Sequence, residues 1–243
     1  MFLTIQAHQY DTHRPLLDDM YRLRKRVFVD EAQWTIPHQN GREIDRYDTL
    51  GPAYLVWCNS ERTRLYGSLR LLPTTGPTLL YDTFRATFPG DACLAAPGIW
   101  EGTRLCIDKA NLGEDHPDIH PVRAFGLMLL ALGECALAHG IHTMVTNYEP
   151  HVSRIYTRTG LSVDEIGRAD GYGRFPVCCG VFEVSESVIA AMRHKLNVGL
   201  PLYRHAHLPL RTSDCIRVQN PGSGQGGSPC MTVTRAMKPL RSI

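Results

Sequence analysis

An acid and a base, Glu101 and Arg104, stand three residues apart in the stretch Gly98–Asp108, among the apolar strand residues Ile99, Leu105 and Ile107. Charges inside an apolar strand persist only if they are paired or act on a ligand. A carboxylate placed there can take a proton from a substrate, and a guanidinium can grip an anion through two parallel hydrogen bonds. Positions three apart on a regular strand point to opposite faces, so a shared cleft requires a bulge or splay near Gly102. A surface ion pair on an edge strand is the plain alternative.

Further candidates lie upstream. Arg24 stands near the end of an expected helix and Arg70 between Leu69 and Leu71 of an expected strand. Three arginines meeting at one cleft would suit an anionic ligand. Asp45 and Asp48, with the aromatic residues Phe28 and Trp34, would suit a cation that carries a flat ring. Each of these residues also has an ordinary structural reading, as a solvated charge or a core aromatic.

The elements that must position them read in order along the chain. Phe2–Ile5 is a short strand, and apolar spacing from Leu16 to Phe28 predicts a helix over 14–29. Residues 30–52 show no periodicity; a loop of that length in a compact domain is usually functional or disordered, and its aromatics speak against disorder. Two strand-like runs, 53–58 and 64–72, form a hairpin, and strand 98–108 follows. Pro121–His139 predicts the longest helix, with Pro121 in its first turn and Gly140 at its end. Strand 141–146, helix 151–159, strand 177–184 and a helix from Ser185 to about Leu196 complete a mixed-sheet α/β domain with helices on its faces.

Composition narrows the classes. A 243-residue chain with 43% hydrophobic residues can bury a sizeable core. It has no run of eighteen apolar residues, and Met1–Ile5 lacks the features of a signal peptide, so no membrane span and a cytoplasmic location are expected. The eight cysteines form no C-x-x-C pair and read as buried free thiols. No metal-ligand spacing is present. The net charge of +2 divides into +7 from Arg193 onward and −5 before it. Residues 198–243, with Pro221–Pro229 as a flexible linker by composition, are expected to be a basic Gly-, Pro- and Ser-containing extension, partly disordered, outside a 1–197 domain. Such an extension could contact an anionic partner or simply be solvated.

Arg24-x-x-x-Phe28, Trp34, Glu43-x-Asp45-x-x-Asp48, Gly67-x-x-Arg70-Leu71-Leu72-Pro73-Thr74 and Trp100-Glu101-x-x-Arg104 resemble the signature of the acyl-homoserine-lactone synthases, the LuxI-type autoinducer synthases. The resemblance spans roughly residues 1–195, and several spaced motifs in order make it specific. It implies a GNAT (acetyltransferase)-like fold and a quorum-sensing signal synthase. In such an enzyme the amine of S-adenosylmethionine attacks an acyl thioester on acyl carrier protein or coenzyme A. Its carboxylate then closes the lactone and methylthioadenosine leaves. S-adenosylmethionine is a substrate, so neither cofactor nor metal is implied, and no nucleic-acid partner. Glu101 is the implied base, with Arg104 beside it. Arg24, Arg70, Asp45 and Asp48 would fix the charged ends of S-adenosylmethionine or brace one another, and Phe28 and Trp34 would line its pocket. Leu105, Leu127, Leu130, Thr143 and Val145 are the expected acyl-pocket walls. Gly102, Thr103 and Leu105 depart from the serine and phenylalanine of many relatives, which bears on acyl-chain fit. A GNAT-type N-acyltransferase for another amine, or a binding module acting through the tail, are the competing readings.

Overall fold

The structure is a computed structural model that describes residues 1–203. Its frame is one seven-stranded sheet in the order β1-β2-β3-β4-β5-β7-β6. The strands are β1 (Phe2–Ile5), β2 (Ala53–Cys58), β3 (Leu65–Pro73), β4 (Ile99–Ile107), β5 (Thr143–Tyr148), β6 (Asp164–Ala169) and β7 (Val177–Glu183). All neighbours are antiparallel except β4 and β5. A parallel pair needs a crossover, and this one carries helices α3 (Lys109–Asp115) and α4 (Pro121–Ala138). The other helices are α1 (Arg14–Arg24), the short α2 (Leu79–Asp82), α5 (Ser153–Thr159) and α6 (Glu186–Leu196).

The sheet is covered on both faces, as its strand sequences require. In β2, Leu55 and Trp57 pack with α4, while Tyr54, Val56 and Cys58 pack with Leu16, Leu17, Met20 and Leu23 of α1. Period-two alternation therefore feeds two cores instead of separating core from solvent. Helix α4 starts with Pro121 in its first turn and a His120 cap that accepts from the Val122 N–H. By length and mean hydropathy (1.5) it could cross a membrane, but 67% of it is buried inside the protein between the sheet and helices α5 and α6. A Cβ on Gly126 would come within 2.8 Å of Leu196 and Thr159, so this close helix approach needs glycine.

The expected mixed sheet, hairpin and long helix are present, with three differences. The first helix changes winding: after Arg24 the chain continues as a π-helical segment, Lys25–Glu31. Helix α3 and strand β6 were not expected. The first is only seven residues long, and β6 reads Asp-Glu-Ile-Gly-Arg-Ala, whose charges mark a solvated sheet edge instead of an apolar run. The chain beyond Asn197 also continues to pack on the body through residue 203. Tyr203 is buried beside β1, its hydroxyl 2.9 Å from Thr4 Oγ1, and the Leu202 and Tyr203 N–H groups both donate to Glu134 at 2.8 Å. The expectations for the rest of the extension lie outside the described residues. All six described cysteines are free and all but Cys93 are buried; Cys215 and Cys230 lie outside the described residues.

Candidate active site

Strand β4 departs from regularity in two ways, and both shape the site. Its pairing with β3 slips by one residue between Cys106 and Thr103, and Arg104 sits in the left-handed region at φ 57°. The bulge expected near Gly102 thus falls on Arg104, two residues further on. A bulge re-aims the side chain that carries it. Thr103 already faces Arg70, and the bulged Arg104 turns to the same side, where it meets Glu43 and Asp45. Second, the ladder between β4 and β5 runs only from Ile99–Thr143 to Glu101–Val145 and then opens. The expected splay begins at Gly102.

Behind the bulge lies a buried ion network of three guanidinium and three carboxylate groups. Arg24 donates to both oxygens of Asp48 at 2.8 and 3.0 Å and to Glu43 at 2.5 Å. Arg70 grips Asp45 through two bonds of 2.6 and 3.0 Å and reaches Asp48 at 3.0 Å. Arg104 bonds Glu43 and Asp45, each at 3.1 Å. The Tyr54 hydroxyl donates to Asp48 at 2.7 Å. Asp45 and Asp48 also cap the turn Arg46–Leu50, each accepting a backbone N–H near the other. Burial works against the charges of Arg24 and Asp48. Their mutual attraction outweighs it, holding the Arg24 pKa above and the Asp48 pKa below the usual range. The charges balance and each carboxylate accepts hydrogen bonds from the guanidinium groups, the conditions under which a buried ion cluster is tolerated.

Glu101 stands apart from this network and makes no ion pair with Arg104. It is fully buried, and its carboxylate accepts the N–H groups of Leu80 at 2.6 Å and Leu79 at 3.2 Å, at the start of α2. Burial pushes its pKa up to about 7; the Leu80 N–H, Arg70, the Leu79 N–H and Arg104 pull it downward.

A cavity of about 290 Å³ fills the opening between β4 and β5. Its lining includes Arg104, Phe28, Trp34 and Glu149, which contact one another in turn, together with His151, and the apolar Leu69, Leu105, Leu132, Met144 and Phe182 of the main core. Phe28 and Trp34 stack at 5.0 Å, and the Arg104 guanidinium lies 5.4 Å from the Phe28 ring centroid. Trp34 is tied across to Glu149 by a 3.2 Å hydrogen bond.

A family profile described as autoinducer synthase matches residues 8–192 of this sequence. The chain belongs to the autoinducer synthase family. Among curated relatives, it is 31% identical over 172 residues to an acyl-homoserine-lactone synthase of Agrobacterium fabrum, covering 70% of this chain and 80% of the relative. It is 37% identical over 174 residues to one from Rhizobium etli, covering 70% and 78%. Among solved structures, the acyl-homoserine-lactone synthase LasI superposes with a TM-score of 0.69 at 25% identity, over 84% of this chain and 98% of that one. The fold is also that of a CoA-dependent acyl-homoserine lactone synthase, BjaI, solved with SAM and isopentyl-CoA (TM-score 0.72, 22% identity, 83% and 91% coverage). The expected family, mixed α/β sheet and enzyme class, an acyltransferase that makes a quorum-sensing signal, all hold.

Within this autoinducer synthase, the residues singled out from the sequence separate into three groups, apart from Glu101, which is buried outside the cavity lining. Arg104, Phe28, Trp34, Leu105 and Val145 line the cavity. Arg24, Arg70, Asp45 and Asp48 do not; of the two arrangements expected for them, the structure shows the bracing one. Leu127, Leu130 and Thr143, expected as acyl-pocket walls, do not line the cavity. Leu127 and Leu130 face the core from α4, whereas Phe125, Leu129 and Leu132 of the same helix line the cavity. Thr143 belongs to the paired end of β5 and bonds His142, so the threonine of this strand that reaches the cavity is Thr146. Glu149 and His151 had not been singled out. Their signal was faint: two polar residues just past an apolar strand, separated by Pro150.

Proposed function

We propose that this cavity joins an acyl group to S-adenosylmethionine and closes the homoserine lactone. The carrying observation is one cavity with two chemistries, a cationic and aromatic lining at Arg104, Phe28 and Trp34 and an apolar lining at Leu105, Leu132, Met144 and Phe182. A flat adenine suits the stacked pair. Nε and Nη2 of Arg104 are held by Glu43 and Asp45, which leaves Nη1 for the substrate carboxylate. The apolar lining takes the acyl chain.

Glu101, at the last rung before the strands part, is the base in this reading. With its carboxyl near neutrality it can accept the ammonium proton through water. The freed amine attacks the thioester carbonyl carbon, the carbon–sulfur bond breaks and the thiol leaves. Past Glu101–Val145 the backbone N–H groups that would bond across the ladder are available to the thioester oxygen as its charge develops. The substrate carboxylate then attacks the carbon bonded to the sulfonium, and methylthioadenosine departs with the sulfur. Both steps use nucleophiles and leaving groups the substrates carry, so the reading assigns no cofactor. It places the enzyme in the cytoplasm, where both substrates occur.

The test is acylation of S-adenosylmethionine by purified protein, with methylthioadenosine release followed alongside, and mass spectrometry of lipids from the medium of expressing cells. An acyl-homoserine lactone and equimolar methylthioadenosine are expected. Acylation of another amine without methylthioadenosine would overturn the reading in favour of a general N-acyltransferase.

For the donor, the reading takes acyl carrier protein, an acidic partner, with acyl-coenzyme A as the alternative. Among basic residues that could meet it, Lys25 and Arg26 are engaged by Asp30 and Asp108. Arg154 and Arg158 are exposed one turn apart on α5. Turnover with the carrier-protein donor is expected to fall steeply with added salt, and Arg154→Glu/Arg158→Glu to raise KM for that donor alone. A clear preference for acyl-coenzyme A, or turnover insensitive to salt, would remove this assignment.

A further inference from the structure

The cavity has an acid on its wall that the reaction just described does not use. Of the residues lining it, Glu149 is the sole carboxylate. Asp45, Asp48 and Glu43 are spent on the arginines behind the bulge, and Glu101 is buried against the start of α2. Glu149 follows the end of β5, and its side chain is one-fifth exposed. Its Oε1 accepts the indole N–H of Trp34 at 3.2 Å, and its Oε2 lies 3.4 Å from His151 Nδ1. The Trp34 bond crosses 115 residues of sequence and joins the segment after α1 to the segment after β5.

These contacts link Arg104 to Glu149 through the aromatic pair. Arg104 lies against Phe28, Phe28 stacks on Trp34, and Trp34 bonds Glu149. A cavity lined by one guanidinium and one carboxylate, linked through two aromatic rings, is matched to a ligand with separated opposite charges. The bond from Trp34 occupies one side of one oxygen, and a carboxylate can accept about four hydrogen bonds. Capacity for a cation therefore remains.

We propose that Glu149 binds the positive charge of the acceptor substrate, ammonium or sulfonium, while Arg104 binds its carboxylate. The inference rests on the S-adenosylmethionine reading of the site. It makes Glu149 a substrate-binding residue, with Trp34 holding its orientation. A charge-assisted contact in a partly desolvated site is worth more than one on the surface, so its loss is expected to weaken binding about tenfold or more.

The experiment is calorimetric titration of wild type, Glu149→Gln and Trp34→Phe with three ligands. S-adenosylmethionine carries both cations, S-adenosylhomocysteine keeps only the ammonium, and methylthioadenosine carries neither. Glutamine keeps an oxygen for the Trp34 N–H and removes only the charge. Glu149→Gln is expected to weaken S-adenosylmethionine at least tenfold and leave methylthioadenosine within twofold. A parallel loss for S-adenosylhomocysteine assigns the contact to the ammonium, and an unchanged value assigns it to the sulfonium. Trp34→Phe should reproduce part of the loss by freeing Glu149. Equal weakening of all three ligands, or none, overturns the proposal, since either means that the Glu149 charge does not read the substrate. Wild type that binds none of the three would instead sink the S-adenosylmethionine reading itself.

Discussion

Replacing Glu101 with glutamine is expected to lower kcat by about 10²- to 10⁴-fold, the usual contribution of a positioned general base. In wild type, kcat should rise with pH up to about 7 and then level, because the basic form of Glu101 exists only above the value to which burial has raised it. The same group gives a second, independent readout. Its folded-state pKa lies above the ordinary 4.5, so folding favours the neutral acid. That contribution is fully present below pH 4.5 and is lost as pH rises through about 7, with an upper size of about 3 kcal/mol. The glutamine variant cannot titrate, so its stability relative to wild type should grow across this window in urea unfolding. If turnover stays at the wild-type level while this pH trend disappears, Glu101 only anchors the start of α2 and the base lies elsewhere.

Arg24→Met is expected to cost about 3–5 kcal/mol of folding stability, read as a lower urea midpoint with an unchanged slope. Arg24 is 1% exposed and holds both oxygens of Asp48 as well as Glu43. Its removal leaves three buried carboxylates facing two guanidinium groups. Arg24→Lys should recover little, because a point charge cannot span two carboxylates as the planar fork does. Asp48 adds a pH signature of opposite sign to that of Glu101. Its pKa is depressed, so its stabilisation is present above about pH 4 and is lost on acidification below it. Arg104→Met, at the cavity edge, should instead act mainly on KM for S-adenosylmethionine, since Arg24 and Arg70 still pair Glu43 and Asp45. An Arg24→Met variant within about 1 kcal/mol of wild type would show that the cluster is not what holds the loop 30–50 to the sheet.

Much of this was legible in the chain. Charged residues embedded in apolar runs carry a physical contradiction, and Arg24, Arg70, Glu101 and Arg104 all proved to be buried or nearly so. The demand that β4 break its alternation was also sound, since three-residue spacing cannot serve one face of a regular strand. Its location was not legible. Gly102 was the residue best able to take an unusual conformation, yet Arg104 takes it, at φ 57°. Bonds to Glu43 and Asp45 hold a conformation that the residue type alone disfavours. Leu127 and Leu130 fall outside the cavity lining for a related reason. Leu127 and Leu130 are as apolar as Leu129 and Leu132, and only the packing of α4 on the sheet distinguishes the cavity face from the core.

The sequence by itself determined which chemistry the protein contains: the spaced arginines and acids, the aromatic pair, and the strand that could not stay regular. Only the tertiary structure decided how that chemistry is divided. It paired Arg24 and Arg70 with acids from a loop some twenty residues away in sequence, parted Glu101 from Arg104, and brought Glu149 against Trp34. Residue types and local spacing report what a segment can form. Which guanidinium meets which carboxylate depends on contacts across the chain, and those exist only once the sheet has closed its register around the splay at Gly102.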